Sequence, residues 1–423
     1  MINKVIAWCM ENQFIAVIFL IATLGAGLWA VRNTPIDAIP DIGVNQQIVF
    51  VDWSGRSPKD VEDQVVYPLT TSLLGIPGVE VIRSNSMFGF GMINIIFEDK
   101  VDFYWSRTRV LERLNLALKD LPEGVIPVLG PDATALGQVY WYTIENGYYC
   151  PDHPGQTYEG PGKCPADGKP LIRSHYNLAE LRSIQDWFVK FQLTAVKGVS
   201  ELASVGGYVK QYQIDVDPNK MLSYRINMAK LIMNVQRSNI DVGAKVIEEG
   251  GMEFIIRGLG FIKGIEDIED IVIGAHDGVP VYVKNIGRVS LGPEFRRGAL
   301  VKDGEEAVGG IVLMRYGENP LEVIEGVKKK IEEIKTGLPL GVRIVGYYDR
   351  SNLITRAVDT LRKALIMALI IAIAVILVFM GQIRSSFIIS IIPPVGVLLA
   401  FLVMYALKVP SNIMSLGGLA LSI

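Results

Sequence analysis

The chain has 423 residues, half of them hydrophobic, and its formal net charge at pH 7 is −3. The mean hydropathy of +0.32 is higher than that of most soluble proteins. The slightly acidic balance indicates no nucleic-acid partner, because such partners attract strongly basic surfaces.

Four apolar runs mark the chain, one near its start and three at its end. Because roughly 20 apolar residues are needed to cross a bilayer core, each complete run predicts a transmembrane helix. The predicted helices cover residues 14–31, 361–382 and 386–408. Residues 411–423 are interpreted as the first part of a fourth, truncated helix. We therefore expect the front part of a polytopic membrane protein.

The first apolar run is interpreted as an uncleaved anchor. It is longer than the apolar region of a signal peptide, and no small-residue cleavage site precedes Arg32. If the N-terminal helix at 1–13 is cytoplasmic, the segment 32–360 lies outside the cytoplasm. Arg384, in the predicted turn 381–386, would then face the cytoplasm, as the positive-inside tendency favours.

Residues 46–129 show strand and helix patterns in the order of a split β-α-β motif. Ser57-Pro58-Lys59-Asp60 is a capping box with proline at the first helical position. Phe88-Gly89-Phe90-Gly91 predicts a hairpin turn. The predicted elements are a strand at 46–53, a helix ending near 74, strands at 79–85 and 92–98, a helix at 102–120 and a strand at 125–129.

A similar unit comes just before the second apolar run. A strand at 308–316, a helix from Pro320 to 335 and a strand at 342–348 indicate an internal duplication. Residues 200–290 have shorter elements, including a hairpin at Asp277-Gly278, and are interpreted as an inserted subdomain. The helix at 352–363 is expected to run directly into the second transmembrane helix. The fold class is therefore an α+β polytopic membrane protein.

The clearest candidate metal-ligand motif has the spacing C-x2-H-x10-C-x2-D and consists of Cys150, His153, Cys164 and Asp167. Two pairs of potential ligands, joined by a loop rich in glycine and proline, can close around one ion. Thiolate and imidazole ligands suit zinc and copper. Two alternatives stay open at this point: a disulfide between Cys150 and Cys164 outside the cytoplasm, or a segment that binds nothing.

Motifs along the whole chain resemble the heavy-metal branch of the RND (resistance–nodulation–division) efflux pumps, of the CusA/CzcA type. The motifs are Asn33-Thr34-Pro35-Ile36-Asp37-Ala38-Ile39-Pro40-Asp41, Tyr67-Pro68-Leu69-Thr70-Thr71, Gly130-Pro131-Asp132-Ala133-Thr134, Arg182-Ser183-Ile184-Gln185-Asp186-Trp187-Phe188, Ala203-Ser204-Val205-Gly206-Gly207, Gly292-Pro293-Glu294-Phe295-Arg296-Arg297-Gly298 and Asn412-Ile413-Met414-Ser415-Leu416-Gly417-Gly418.

The resemblance implies an inner-membrane secondary transporter with a large periplasmic region, working by proton antiport and not an enzyme. It implies a homotrimer in membrane lipid that meets a periplasmic adaptor and an outer-membrane channel, with no permanent cofactor. The proton-carrying aspartate of the family would lie beyond Ile423. The implied periplasmic parts are a first porter subdomain (32–134), a second porter subdomain (135–199 and 291–360) and a docking-type subdomain (200–290).

Residues 148–171 resemble a small heavy-metal-binding domain found in some metal pumps. Asp152 and Lys169 stand where that domain usually has methionine, and Asp167 stands where it usually has cysteine. Because these changes remove soft sulfur ligands, they weaken the case for Cu(I) here and make Zn(II) at least as plausible.

Met414 matches a methionine in the fourth helix of the family, where a thioether could contact Cu(I) or Ag(I) in transit. Packing is its ordinary alternative role. The divalent-metal branch usually has an aspartate shortly afterwards, whereas this chain has Leu419-Ala420-Leu421. By resemblance this favours Cu(I) or Ag(I) as the transported ion, which differs from the ion that the ligands at 150–167 favour.

The resulting hypothesis is the N-terminal part of a proton-driven heavy-metal efflux pump, with Cu(I) or Ag(I) as cargo. One rival is an RND pump for organic compounds, and a lesser one is a protein-export helper of the same superfamily. The third rival is a membrane-anchored periplasmic metal-binding fragment that transports nothing.

Overall fold

The structure is a computed structural model, and it describes residues 8, 10–37, 43–276, 278–407 and 409–422. Most of the helix predicted at 1–13 lies outside the described residues. So do residues 38–41 of the first motif, Asp277 of the predicted hairpin and the side chain of Arg384.

An apolar helix at Gln13–Asn33 is followed by a four-stranded antiparallel sheet. In chain order these elements are α1 (Gln13–Asn33), β1 (Gln46–Asp52), α2 (Pro58–Val61), α3 (Tyr67–Leu74), β2 (Val79–Met87), β3 (Phe90–Phe97), α4 (Phe103–Ala117) and β4 (Pro127–Leu129). The sheet order β2-β3-β1-β4 is that of the split β-α-β motif. Ser57 and Asp60 form the predicted capping box, and Pro58 is the first helical residue.

Alternation along the strands builds the core of this sheet. Every second residue of β1 and of β3 is buried, which leaves one apolar face for the helices to cover. The residues of that core include Val49, Val51, Ile93 and Ile95 from the strands and Val61, Val65, Leu69, Leu73, Val110 and Leu114 from the helices. The hydrophobic effect therefore fixes which face of the sheet the helices cover.

The next elements begin a second sheet and hold a small sheet within it. They are β5 (Gln138–Asn146), β6 (Tyr148–Cys150), β7 (His153–Tyr158), β8 (Ile172–Arg173), α5 (Leu178–Ile184), α6 (Lys190–Thr194) and β9 (Val199–Gly206). The strands β6, β7 and β8 form a separate three-stranded sheet, in the order β7-β6-β8.

A run of short elements follows, in which the described strands pair two by two. They are β10 (Lys210–Val216), α7 (Pro218–Ser223), α8 (Met228–Ser238), β11 (Val242–Glu249), β12 (Met252–Gly258), α9 (Ile265–Glu269), β13 (Val272–His276), β14 (Val279–Tyr282), α10 (Val283–Ile286), β15 (Gly287–Pro293) and β16 (Leu300–Lys302). The pairs are β10–β15, β11–β12 and β13–β14, while β16 joins the second sheet.

The second sheet is completed by β17 (Glu305–Met314), α11 (Pro320–Ile334) and β18 (Val342–Asp349). Its order is β16-β17-β5-β18, with β9 also paired to β17. Without β16, the order β9-β17-β5-β18 repeats that of the first sheet. In each repeat, the helical segment that follows the first strand also contains a π-helical turn, at Glu62–Val66 and at Gln185–Val189. Shared order and shared irregularity support the internal duplication.

Four apolar helices close the chain: α12 (Arg350–Met380), α13 (Ile383–Ser390), α14 (Ile392–Ala406) and α15 (Ile413–Ser422). The helix predicted at 352–363 does continue into the second apolar run, as one helix of 31 residues. The predicted turn 381–386 is shorter than expected, because Gly381 ends α12 with a φ of +61° and α13 already begins at Ile383. The predicted helix 386–408 breaks near Ile391, just before two prolines that cannot donate backbone hydrogen bonds.

Three helices in the described part of the chain are long and apolar enough to cross a membrane: Gln13–Asn33, Arg350–Met380 and Ser385–Ala406. The first packs on α14, where a Cβ atom at Gly27 would lie 2.6 Å from the Cβ of Leu398. Trp29 and Tyr405 meet edge to face, with ring centroids 4.7 Å apart. A missing side chain at residue 27 therefore permits the close approach of the two helices.

A buried ion pair joins the start of α12 to the segment after α1. Arg350 is 5% exposed, and its Nη2 atom donates to both carboxylate oxygens of Asp37, at 2.9 and 3.1 Å. Its Nη1 atom donates to the carbonyl of Leu136. The guanidinium thus ties together three segments that are distant in sequence.

The chain divides into two compact units. One comprises Met1–His175, Gln185–Val205 and Gly309–Ile423, and the other comprises Tyr176–Ile184 and Gly206–Val308. The second unit has a core of its own, which includes Ile226, Leu231, Ile273, Val281 and Ile286. The porter and docking boundaries expected from the sequence stay predictions.

Candidate metal centre

The small sheet β7-β6-β8 is an insert between β5 and α5, and it covers residues 148–173. Its two ends meet at a neck formed by Gly147, Ser174 and Gly341. The Ser174 backbone N–H donates to the Gly147 carbonyl (2.9 Å), and the Gly147 N–H donates to the Gly341 carbonyl (2.7 Å). The Ser174 hydroxyl also donates to the Gly341 carbonyl (3.0 Å). The insert therefore leaves and rejoins the second sheet at one point.

Two tight turns present the predicted ligands. Cys150 ends β6, His153 begins β7, and the two residues are paired across the hairpin. In the second turn the Gly168 N–H donates to the Cys164 carbonyl (2.8 Å), and Gly168 has a φ of +72°. Glycine is favoured at such a φ because a Cβ atom would be strained there. Each C-x2 pair thus curls its two side chains towards the same side.

The four predicted residues come together in space. The Cys150 sulfur lies 3.7 Å from His153 Nδ1 and 3.5 Å from an Asp167 carboxylate oxygen. The Cys164 sulfur lies 3.7 Å from His153 Nδ1, and that nitrogen lies 3.6 Å from Asp167. All four potential ligand atoms lie within 4.8 Å of one another. We refer to these four residues as the four-ligand cluster.

These separations fit a tetrahedron around one ion. Bonds of about 2.0 to 2.3 Å from zinc to nitrogen, oxygen and sulfur imply ligand–ligand distances of about 3.3 to 3.8 Å. The measured distances of 3.5 to 3.7 Å lie in that range. Four of the six ligand–ligand distances are therefore at coordination spacing, and all six are within 4.8 Å.

The two sulfur atoms and the other two ligands differ in exposure. Cys150 is 0% exposed and Cys164 is 2% exposed, whereas the His153 side chain is 43% exposed and that of Asp167 is 21% exposed. An ion would therefore enter from the side of His153. Both cysteines are free thiols, so the disulfide alternative is not the state described.

The Asp167 carboxyl and the Cys150 thiol differ in how readily they ionise. The backbone N–H of Lys169, with the two thiols and His153, holds the pKa of the Asp167 carboxyl below its ordinary value. Burial raises the pKa of the Cys150 thiol. At neutral pH the carboxylate is therefore ionised while the Cys150 thiol keeps its proton. A metal ion must displace that proton to bind.

Tyr158 and Lys169 assist the cluster and were not predicted as site residues. The Tyr158 hydroxyl lies 3.9 Å from the Cys164 sulfur, and the Lys169 N–H donates to Asp167 Oδ1 at 3.1 Å. The Lys169 ammonium also pairs with Asp152, so both residues that replace the usual methionines are tied to each other. Spacing alone could not indicate these contacts, because they depend on how the two turns face one another.

The remaining candidate, Met414, lies at the start of α15 and is 70% exposed. It does not belong to the four-ligand cluster. Its sulfur is a soft ligand by chemistry.

The profile of the AcrB/AcrD/AcrF family matches residues 5–423. The chain belongs to this family. It is 40% identical over 425 residues to "Cation efflux system protein CusA" of Escherichia coli, and the match covers 100% of this chain and 38% of that protein. It is 34% identical over 419 residues to "Cobalt-zinc-cadmium resistance protein CzcA" of Cupriavidus metallidurans, and the match covers 99% of this chain and 38% of that protein.

The solved structures agree with the sequence matches. An X-ray crystal structure of a heavy metal efflux pump superposes with a TM-score of 0.82 and 30% identity, covering 98% of this chain and 39% of that one. These matches confirm the resemblance to the heavy-metal branch and the coarse prediction of apolar helices combined with sheets. The chain spans about two fifths of the length of these relatives.

Proposed function

We propose that this chain of the AcrB/AcrD/AcrF family is part of an inner-membrane pump that exports heavy-metal ions, and that its four-ligand cluster binds metal outside the cytoplasm. The observation that carries the proposal is the tetrahedral spacing of Cys150, His153, Cys164 and Asp167. Two thiols, an imidazole and a carboxylate placed in this way suit a metal ion, which favours a metal pump over an organic-compound pump or an export helper.

The membrane part of the proposal is supported by three long apolar helices. With the first of them entering from the cytoplasm, the two sheets and the insert would lie in the periplasm. No acidic or basic residue occurs within 364–381 or 387–407. Proton uptake needs such groups inside the membrane, so the proposed proton antiport depends on parts of the pump other than these two segments.

The cargo is proposed to be Cu(I) or Ag(I). The support is the exposed thioether of Met414 on an apolar helix, since soft sulfur ligands select monovalent copper. A homotrimer, a periplasmic adaptor and an outer-membrane channel are proposed as partners from the family resemblance.

The test is metal accumulation in cells. A chimaera in which this chain replaces the matching 38% of CusA is expressed in an Escherichia coli strain that lacks CusA, and cell-bound copper, silver, zinc, cobalt and cadmium are measured by mass spectrometry. We expect lower copper and silver contents than in cells with the empty vector. A Met414→Leu variant, similar in volume but without sulfur, should lose part of that effect.

Three results would contradict the proposal. Unchanged contents of all five metals, with the protein present in the membrane, would remove the export function. Binding of metal without any change in accumulation would favour the non-transporting anchored fragment. Lower accumulation of organic dyes, with metals unchanged, would favour the pump for organic compounds.

A further inference from the structure

The insert has almost no hydrophobic core. All of residues 148–173 are described, and Cys150 and Cys164 are the two that are buried. Its strands have three, six and two residues. Such short strands are not stable without further support, and units below about 40 residues usually need a metal or disulfides to fold. Something other than apolar burial must therefore hold the insert in shape.

The two buried residues are themselves half of the four-ligand cluster. The atoms at the centre of the insert are therefore potential ligands instead of packed hydrocarbon. Since the cysteines are free thiols, no disulfide takes the place of a core. An ion bound by all four residues would join the turn at Cys150–His153 to the turn at Cys164–Asp167, as a core would.

The number of ligands bears on whether the ion stays or leaves. Sites whose ion has a structural role have four protein ligands, whereas sites that act on an exchangeable ligand keep a position open. The cluster supplies four potential ligand atoms, all within 4.8 Å of one another, from the single stretch 150–167. This arrangement is suited to retaining an ion and poorly suited to passing it on.

The chemistry of the ligands bears on which ion is retained. Two thiolates, one imidazole and one carboxylate form a mixed set that suits Zn²⁺, whereas Cu(I) is selected by soft sulfur ligands alone. Asp167 supplies the hard oxygen. Its orientation is set by the Lys169 N–H, at 3.1 Å, as outer partners often orient a ligand.

We propose that Cys150, His153, Cys164 and Asp167 hold a resident Zn²⁺ ion that serves as the core of the insert, and that Asp167 is the residue that favours Zn²⁺ over Cu(I). The proposal rests on the proposed function only in that the cluster binds metal. It goes beyond it in separating this ion from the exported cargo and in giving it a structural role.

The test uses the full chain, purified in detergent with its thiols reduced. Metal content is measured by mass spectrometry, and affinities for Zn²⁺ and Cu(I) are measured by competition with chelators. Hydrogen exchange of residues 148–173 is followed with and without Zn²⁺. The ligand variants are Cys150→Ser with Cys164→Ser, and Asp167→Cys. The matched controls are Asp152→Asn, a neighbouring carboxylate outside the cluster, and His175→Ala, an exposed histidine outside the cluster.

We expect one Zn²⁺ per chain, and slower exchange in 148–173 when Zn²⁺ is bound. The double serine variant should bind Zn²⁺ more weakly by over about 100-fold, since even outer partners contribute about 10- to 100-fold. Asp167→Cys should keep Zn²⁺ and raise the preference for Cu(I) by about tenfold or more. The two controls should behave as the unchanged chain does.

Each contrary result has a distinct meaning. Tighter binding of Cu(I) than of Zn²⁺ by the unchanged chain, or unaltered exchange of 148–173 on removal of Zn²⁺, would overturn this inference and leave metal binding intact. Absence of any bound metal would overturn both this inference and the metal site of the proposed function. The removal of Zn²⁺ from the unchanged chain keeps the test decisive even if the serine variant fails to fold.

Discussion

At the scale of single residues, the ion pair between Arg350 and Asp37 shows what a buried charge requires. The two residues are 313 positions apart in sequence, and the guanidinium is almost fully enclosed. Enclosed charges are stable only when their partners are in place, because burial removes the water that would otherwise solvate them. The pair therefore matters less as a source of stability than as a contact that must not be broken.

We predict that Asp37→Asn lowers the free energy of unfolding by about 3 to 5 kcal/mol, since it leaves the Arg350 charge uncompensated. The measurement is denaturant unfolding of the chain in detergent micelles. Asp63→Asn is the matched control, because its partner Lys59 is exposed, and it should leave the free energy of unfolding almost unchanged. Similar small losses for both variants would mean that the Arg350 charge is not enclosed as described.

Gly341 provides a second test, at the neck of the insert. It has a φ of +74°, and a Cβ atom there would lie 2.7 Å from the Cβ of Ser174 and 2.8 Å from Cδ1 of Tyr149. We predict that Gly341→Ala is destabilising by about 1 to 3 kcal/mol more than Gly304→Ala. Gly304 has a φ of +86° with nothing within 4 Å, so its alanine variant reports backbone strain alone. Equal melting temperatures for the two variants would contradict a tightly closed neck.

The four residues of the proposed metal site are the ones that the sequence indicates best. Cys150, His153, Cys164 and Asp167 were all expected from their spacing, because each C-x2 pair is local and a turn suffices to bring its members together. Tyr158 and the neck residue Gly341 could not be expected in the same way. The contact of Tyr158 with Cys164 depends on how the two turns face each other, and the partner of Gly341, Ser174, lies 167 residues away.

At the scale of secondary-structure elements, local signals predicted where helices begin. The capping box at Ser57–Asp60 and the cap at Asn319, whose side chain accepts from the Leu321 N–H, mark the helix starts as expected. The break at Ile391 follows from the two prolines, which lack backbone donors. The π-helical turns were not expected, since an inserted residue in a helix has no composition signal of its own.

Packing between the first and third long apolar helices depends on Gly27. We predict that Gly27→Leu separates these helices, because a side chain there would collide with Leu398. The measurement is disulfide cross-linking of cysteines placed at Trp29 and Tyr405, whose rings touch in the unchanged chain. The yield should fall in the variant.

Gly25→Leu is the control for this prediction, because a Cβ atom at Gly25 has nothing within 4 Å. Its cross-linking yield should equal that of the parent double-cysteine chain. Equal yields for both leucine variants would show that Gly27 does not set the approach of the two helices.

At the scale of the whole molecule, the second sheet contains an insertion at a place where the two ends of the inserted segment lie next to each other. The insert lies between the first strand and the first helix of the second sheet, and its ends are hydrogen-bonded through Gly147 and Ser174. Insertions are tolerated where the flanking backbone is held independently of them. The insert is thus attached at a place where hydrogen bonds already hold the flanking backbone.

We predict that replacing residues 148–173 with two glycines abolishes Zn²⁺ binding and leaves the melting temperature of the chain in detergent unchanged. The reason is that the ends of the removed segment are adjacent, so the shorter chain closes without strain. Light scattering and thermal unfolding are the measurements, and the unchanged chain stripped of Zn²⁺ is the reference. Aggregation or a clearly lower melting temperature would show that the insert is part of the core of the second sheet.

The sequence by itself predicted the apolar helices, the order of strands and helices in the first repeat, the last three elements of the second repeat, and the four residues that come together in the cluster. These features rest on local patterns: runs of apolar residues, alternation along strands, caps, and pairs spaced by two. The tertiary structure alone decided how closely the four cluster residues approach one another, that Arg350 meets Asp37, and that the insert closes at Gly341. The last two contacts join residues far apart in the chain, and the first brings two separate turns together, so all three depend on distances and burial that no local pattern contains.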